Sequence, residues 1–211
     1  MGSYKNGDGT RSLILDTCRS LFYEIGYEET TFDIISAQSG VNRGLIHYHF
    51  KKKSEIRKEI AIQSIKNDRI LARKYIGNYG SLPACEYIFW YKFIKDEHYR
   101  NFFISSFFGG DWDTESDFKD LDDLAFSTGI GLDYINQHFH LEYTLVESMN
   151  SVLCTMVNRD PDRYRFDELT EKIYYITCKL FELPEEEIQR KLTMLRQCKA
   201  TIPFEELKTT L

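Results

Sequence analysis

The chain has 211 residues, 42% of them hydrophobic and 15% aromatic, which indicates a globular protein and excludes a disordered one. No stretch approaches the roughly 20 consecutive apolar residues that a membrane span needs, and the polar residues 1–10 do not resemble a signal peptide. The formal net charge is -6, but residues 1–58 carry nine basic and seven acidic side chains, while the remainder carries eighteen and twenty-six. Because neither a membrane span nor a signal peptide is predicted, we expect a cytoplasmic protein. Its positive charge is concentrated in the first 58 residues, which can therefore bind an acidic partner.

Basic side chains crowd into residues 43–58, where a single acid, Glu55, stands among them. They are Arg43, Lys51, Lys52, Lys53, Arg57 and Lys58. A local cluster of this kind is what a nucleic-acid surface requires, whatever the sign of the whole chain. On charge alone, a solvated lysine run at the start of a helix is the competing explanation.

Apolar residues recur at helical spacing along the whole chain, and no segment shows the sustained alternation of a β-hairpin. The pattern predicts helices over 10–25, 32–39, 43–50 and 54–75, and then over 81–95, 97–109, 115–138, 141–158, 166–182 and 185–198. The Gly-containing stretch 77–80 is expected to be a joint between helices. The predicted fold class is therefore all-α.

Glycines and short polar residues mark the ends of the first four helices. Gly26 and Gly40 can take the left-handed conformation that closes a helix. The candidate N-caps, whose side chains accept from free backbone N–H groups, are Thr30 or Thr31, Asn42 and Ser54. The sequence thus predicts two short helices joined by a tight turn, with a longer helix on either side.

Two short helices separated by Gly40-Val41, with a basic run behind them, are typical of a helix-turn-helix. Ile35 and Val41 are apolar at positions that can meet across the turn, and Ile46 and Phe50 are spaced to face inward. The third helix would then point Arg43, Gly44, His47 and Tyr48 outward, as a recognition helix in the major groove does. Ser36 and Ser39 are small enough to let the two helices approach.

Residues 32–56 resemble the DNA-binding domain of the tetracycline-repressor (TetR) family. That family has an Ile-Ala-x-x-Ala-Gly-Val run, then Gly, an apolar pair, an aromatic end, Lys and an acid. The matching residues are Ile35, Gly40, Val41, Gly44, Ile46, His49, Phe50, Lys53 and Glu55. The chain departs from the pattern at His47, where the family usually has Tyr, and at Leu45, where a small residue or Thr is common.

Given this resemblance, the chemistry of each side chain indicates its role on DNA. Arg43 can read guanine O6 and N7 together, Gly44 permits close approach of the backbone, and His47 and Tyr48 can reach phosphates or bases. Lys53 near a helix start would be relieved of its conflict with the helix dipole by a phosphate. The predicted DNA-binding residues are Thr30, Thr31, Asn42, Arg43, Gly44, His47, Tyr48 and Lys53. For His49 we favour packing within the domain.

The resemblance also implies a ligand pocket in the C-terminal helices and a homodimer formed by long helices near the C-terminus. Helices 141–158 and 166–182 each show apolar residues suited to pairing. Residues 87–112 are rich in aromatics, which suits a flat or greasy ligand but is also typical of a plain core. The candidate ligand-binding residues are Trp90, Tyr91, Phe103, Phe107 and Tyr134.

Other kinds of site receive little support from the sequence. The five cysteines have no C-x-x-C pairing and are predicted to be buried, reduced thiols. His138 and His140 would lie on opposite sides of a helix, and the acidic run 111–123 lacks calcium-loop spacing, so no metal and no cofactor is predicted. No catalytic motif is present, so no catalytic residue is proposed.

The sequence therefore predicts a sequence-specific DNA-binding transcriptional regulator of all-α fold, a repressor controlled by a small ligand bound in its C-terminal helical domain. A helix-turn-helix domain would occupy 1–53 and a helical ligand-binding and dimerisation domain 54–211. Its expected partners are a double-stranded DNA operator, a small-molecule effector and a second copy of the chain. The alternative is an interaction module that keeps the fold without binding DNA.

Overall fold

The computed structural model describes residues 4–76, 81–108, 140–207 and Leu211. Within those ranges all regular structure is helical, which confirms the predicted all-α class. The helices are α1 (Tyr4–Glu24), α2 (Phe32–Ser39), α3 (Arg43–His49), α4 (Lys53–Ile76), α5 (Ser81–Lys95), α6 (Glu97–Phe108), α7 (His140–Arg159), α8 (Phe166–Leu180) and α9 (Glu185–Thr201). Two short 3-10 turns, Pro161–Arg163 and Phe204–Glu206, precede α8 and follow α9.

The predicted helix boundaries lie within three residues of the observed ones, except at the start of α1. Helix α1 begins at Tyr4, six residues before the predicted start at residue 10, because its first turns carry no apolar stripe that a pattern could detect. Helix α4 begins at Lys53, so Ser54 lies inside its first turn and the prediction that Ser54 caps it was wrong. The predicted segments 77–80 and 115–138 lie outside the described residues.

The glycines and N-cap residues predicted to end or begin helices α1 to α3 have the backbone conformations and hydrogen bonds expected of them. Gly26 and Gly40 have φ values of +94° and +70°, the left-handed region that favours glycine. The Gly40 N–H donates to the Ser36 carbonyl at 3.0 Å and closes α2. Thr31 caps α2 by accepting from the Ile34 N–H, and Asn42 caps α3 by accepting from the Leu45 N–H.

Tertiary contacts divide the chain into two compact units. Of the described residues, 4–64, 97–108 and Leu211 belong to the first, and 65–76, 81–96 and 140–207 to the second. The boundary thus falls between Ser64 and Ile65, inside α4, and α6 joins the first unit. A division of function at residue 53 stays a prediction.

The first unit is built around α1. Phe22 is 1% exposed and its ring stacks on that of Phe102 at 6.1 Å between centroids, which seats α6 on α1. The Tyr23 and His98 rings lie 5.2 Å apart beside them. Burial of such large rings is the main source of stability for a unit of this size.

The second unit buries α5 against α8 and α9. Its core residues include Tyr87, Ile88, Tyr174, Cys178, Ile188, Leu192 and Leu195. The rings of Tyr91, Phe166 and Phe204 lie 5.1–5.2 Å apart and fasten the turn that follows α9 onto α5 and the start of α8. A buried ion pair, Lys92 Nζ to Asp68 Oδ1 at 2.6 Å, joins α5 to α4.

The five cysteines confirm the prediction of buried, reduced thiols. All five are free and buried. Burial raises the pKa of the Cys178 and Cys198 thiols to about 11 and that of Cys18 to about 12. A thiol with so high a pKa is a poor nucleophile at neutral pH.

No helix in the described part of the chain is long and apolar enough to cross a membrane.

Asp167 links the start of α8 to the end of α9. It is 8% exposed, and its carboxylate accepts from the Arg165 guanidinium at 3.1 Å and from the Lys199 ammonium. The Arg165 hydrogen bond, aided by Lys199, holds the pKa of Asp167 well below its ordinary value of 3.8. A carboxyl with a depressed folded-state pKa stabilises the fold above its unfolded pKa and loses that contribution as the pH falls below it.

Replacement of Asp167 by Asn should therefore lower the free energy of unfolding at pH 7 by about 1 kcal/mol, since both cations that bind it reach solvent. The difference from wild type should be constant from pH 7 to about pH 5 and shrink below about pH 4. Urea unfolding at pH 7, 5, 4 and 3 measures this, with exposed Asp162→Asn as the control. A difference that stays constant down to pH 3 would contradict the assignment.

Candidate nucleic-acid interface

Helices α2 and α3 are held in place by apolar side chains that each helix buries in the first unit. Ile35 and Ile46 are fully buried, Phe50 is 2% exposed, and Val41 in the connecting turn is 8% exposed. The predicted inward face of the helix-turn-helix is therefore the observed one. With one side of α3 buried, its other side must face solvent.

The turn between the two helices is held by serines that the sequence analysis treated only as small. Ser36 Oγ donates to the Val41 carbonyl at 2.7 Å, and the Val41 N–H donates to Ser39 Oγ at 3.2 Å. Ser39 Oγ in turn donates to the Ile35 carbonyl at 2.6 Å. The two bonds to Val41 satisfy backbone groups that the left-handed turn at Gly40 leaves without a helical partner.

The outward side of α3 presents most of the predicted contact residues. Asn42, Arg43, Gly44 and Tyr48 are exposed, and Tyr48 is 72% exposed. His47 is half-buried, because its ring lies 4.3 Å from that of Phe32 on α2. The structure thus brings five predicted residues to one surface.

Leu45 and His49 border this surface. Leu45 is an apolar side chain that is 37% exposed. His49 is half-buried, with its ring edge-on to Tyr48 at 5.2 Å, in keeping with a packed ring.

Arg43 at the start of α3 is held by α2. Its Nη1 donates to Asp33 Oδ1 at 2.9 Å, and both side chains are more than half exposed. Gly44 beside it has space for a methyl group, because a Cβ there would lie 3.4 Å from Asn42 Oδ1, an ordinary contact. Packing within the chain therefore does not require glycine at position 44.

The two threonines before α2 differ. Thr31 is exposed, and its hydroxyl caps α2 at 3.2 Å from the Ile34 nitrogen, so it lies at a helix N-terminus as predicted. Thr30 is fully buried, and its hydroxyl donates to the Gly26 carbonyl at 2.8 Å. The side chain of Thr30 therefore closes the α1–α2 loop and does not reach the surface that the prediction assigned to it.

Lys53 also points into the first unit. Its ammonium donates to the Tyr27 and Thr30 carbonyls at 2.6 and 2.9 Å and lies 4.1 Å from the centre of the Tyr27 ring. Burial lowers its pKa. The predicted conflict with the helix dipole is thus relieved by carbonyl oxygens of the chain itself, so no DNA phosphate is needed for it.

Arg57 completes this arrangement from the next turn of α4. Its guanidinium lies 4.2 Å from the Tyr27 ring, on which Lys53 also packs, and its Nη1 donates to the Ser105 carbonyl at 2.8 Å near the end of α6. Lys51 and Lys52, by contrast, are exposed. The basic run therefore divides into cations that stabilise the domain and cations that face solvent.

The candidate ligand-binding residues do not all fall in one unit. Trp90 and Tyr91 are buried in the second unit, where Trp90 packs edge-on to Phe89 and Phe93 and Tyr91 donates to Glu205 at 3.3 Å. Phe103 is buried in the first unit against Tyr99 and Phe102. The side chain of Phe107 and all of Tyr134 lie outside the described residues.

Metal binding was not predicted, and the described residues contain no group of three or more His, Cys, Asp or Glu side chains that could hold an ion. His138, the side chain of His140 and the acidic run 111–123 lie outside the described residues.

Comparison with known proteins places the helix-turn-helix in a known group. Residues 14–60 match the family model described as bacterial regulatory proteins, tetR family. The negative transcriptional regulator IcaR of the biofilm operon icaADBC of Staphylococcus epidermidis is 30% identical over 93 residues, 43% of this chain and 50% of that protein. IcaR of Staphylococcus aureus strain Newman is 29% identical over 97 residues, with the same coverage of both chains. The chain thus spans about half the length of the curated relatives it matches.

Among solved structures, a gamma-butyrolactone receptor described as an ArpA-like protein aligns with 93% of this chain and 100% of its own. The sequence identity is 19% and the TM-score 0.44.

Replacement of Lys53 by Met should lower the free energy of unfolding by about 1–2 kcal/mol, because partly buried carbonyl oxygens lose their donor. Lys52→Met is the matched control, since it removes the same charge from the neighbouring, exposed side chain. Urea unfolding of both variants measures the effect. Equal stabilities would contradict the internal role of Lys53 and return it to the predicted DNA contacts.

Proposed function

We propose that this chain, whose residues 14–60 match the tetR family of bacterial regulatory proteins, is a sequence-specific DNA-binding transcriptional regulator. It acts in the cytoplasm as a repressor, and a small ligand bound by its C-terminal helices controls it. The relatives described as negative transcriptional regulators support the sign of this action.

The observation that carries the proposal is the outward side of α3. A seven-residue helix is fixed by Ile46 and Phe50 and presents Arg43, Gly44 and Tyr48 to solvent. A short helix held by its buried side, with a cation at its start, has the form of a recognition helix in a major groove. Exposed Lys51 and Lys52 lie just beyond it and can contact phosphates.

The test is DNA binding by the full chain, followed by fluorescence anisotropy. The probes are duplex DNA from upstream of its own gene and a scrambled duplex, each at two salt concentrations. We expect the upstream duplex to bind more tightly and the affinity to fall steeply with salt, because Lys and Arg displace counterions from phosphates. Weak binding to both, together with an empty selection from a random duplex library, would favour the interaction module instead.

Gly44→Ala sharpens this test, with Gly9→Ala as its control. Both add a methyl group to a helix, and neither meets an obstacle in the chain: a Cβ at Gly44 lies 3.4 Å from Asn42 Oδ1, and one at Gly9 has nothing within 4 Å. Both variants should be as stable as wild type or slightly more so. Only Gly44 lies on the proposed DNA surface, so G44A should weaken specific binding by about tenfold, a cost of about 1.4 kcal/mol. Equal affinities of the two variants would place the DNA elsewhere.

A homodimer is part of the proposal, because two half-sites need two recognition helices at a fixed spacing. Helix α7 carries large apolar side chains that one protomer leaves exposed. They are Leu141, Leu145, Val152 and Met156, with exposed fractions of 42–64%, and they share one side of the helix. Cys154 and Val157 on the same helix are buried within the chain. A second copy that covers the exposed stripe would remove this apolar surface from water.

Val152→Glu should therefore convert a dimer into a species of half the mass, because a carboxylate would be buried at the centre of the stripe. Asn158→Glu, exposed on the same helix but away from the stripe, is the control. Size-exclusion chromatography with light scattering measures both masses. If the V152E mass equals that of wild type, the protomers pair through another surface.

A further inference from the structure

The first turn of α2 holds two outward side chains of α3. Phe32 places its ring 4.3 Å from that of His47, and the next residue, Asp33, accepts from Arg43 at 2.9 Å. Both contacts join residues ten or more positions apart across the turn. Helix α2 therefore fixes the direction of side chains that the proposed recognition helix presents.

The contribution of the Asp33–Arg43 ion pair to the stability of the fold is too small to explain its presence. Its side chains are 75% and 57% exposed, and exposed ion pairs add little to stability. On a surface that meets phosphates, a carboxylate also opposes binding through like-charge repulsion. The simplest alternative is that Asp33 only stabilises the N-terminus of α2 as an acid in its first turn.

The geometry gives the pair another consequence. In the described contacts Arg43 uses only Nη1, which leaves Nη2 and Nε of the same planar group to donate. The hydrogen bond from Nη1 to Asp33 limits where the guanidinium can turn, and guanine O6 and N7 are read by two parallel donors of one such planar group, here Nη2 and Nε. Without this restraint, a long arginine side chain can turn to any nearby phosphate.

We propose that Asp33 is a positioning residue that sets sequence selectivity, by holding Arg43 toward a guanine edge and away from the phosphates. The inference rests on the proposed DNA-binding function. It identifies a guanine in each half-site, opposite the start of α3, as the base that Arg43 reads.

The test compares Asp33→Asn with Asp16→Asn in the full chain. Both changes remove one exposed carboxylate paired with an arginine, but Asp16 pairs with Arg19 at 2.6 Å on α1. The probes are a duplex that wild type selects from a random library and a scrambled duplex of the same composition. The readout is the selectivity ratio, which is the dissociation constant for the scrambled duplex divided by that for the selected duplex. The stability of α2 alone does not change this ratio. Thermal unfolding confirms that each variant folds.

We expect D33N to lower this ratio about fivefold to tenfold, a fraction of what a good bidentate base contact contributes. D16N should leave it unchanged. In an Arg43→Ala background, D33N should have no further effect on the ratio, because the side chain it positions is gone.

An unchanged ratio in D33N, or a fall of equal size in the R43A background, would overturn the role of Asp33 while leaving DNA binding intact. A wild-type chain that selects no sequence at all would overturn the DNA-binding proposal itself, and with it this inference.

Discussion

The position of α3 depends on one packing constraint, the burial of Ile46 and Phe50 in the first unit. Helices of seven and eight residues, such as α3 and α2, do not persist alone in water, where about 12–15 residues are needed even for favourable sequences. Docking onto α1 therefore decides that these helices exist and which way each one faces. Because an α-helix has 3.6 residues per turn, fixing the inward side at Ile46 also fixes Gly44 and Tyr48 on the opposite side, while Arg43 projects into solvent from the first turn.

The same constraint decides how the basic run is used. Neighbouring residues at the start of α4 point in different directions, so Lys53 binds carbonyl oxygens of the loop between α1 and α2, while Lys52 stays in solvent. Arg57, one turn on, reaches the end of α6 through the Ser105 carbonyl. Part of the positive charge that seemed available to DNA therefore stabilises the domain that carries the surface.

Much of this fold followed from local patterns. The bounds of α2 and α5 and the roles of Gly40, Thr31 and Asn42 were predicted, because turn and cap chemistry acts within a few residues. The sequence pattern could not give the direction of Lys53, because its ammonium binds a loop that lies more than 20 residues before α4. It could not give the burial of Thr30 either, because that burial depends on tertiary packing. The seating of α6 on α1 through Phe22 and Phe102 was also missed, because aromatic periodicity shows that a face is apolar and does not show what covers it.

Stability and recognition are consequently assigned to different members of one cluster. Lys53 is partly buried and donates several hydrogen bonds that stabilise the loop between α1 and α2, so its loss destabilises the folded state. Arg43 is exposed and makes a single weak pair, so the folded state hardly depends on it. A side chain that contributes little to stability can exchange its partner for a base at a small cost in free energy. Lys53 would first have to break its hydrogen bonds to the carbonyl oxygens. For this reason the exposed cation at the start of α3, and not the more strongly bonded cation at the start of α4, is suited to read a sequence.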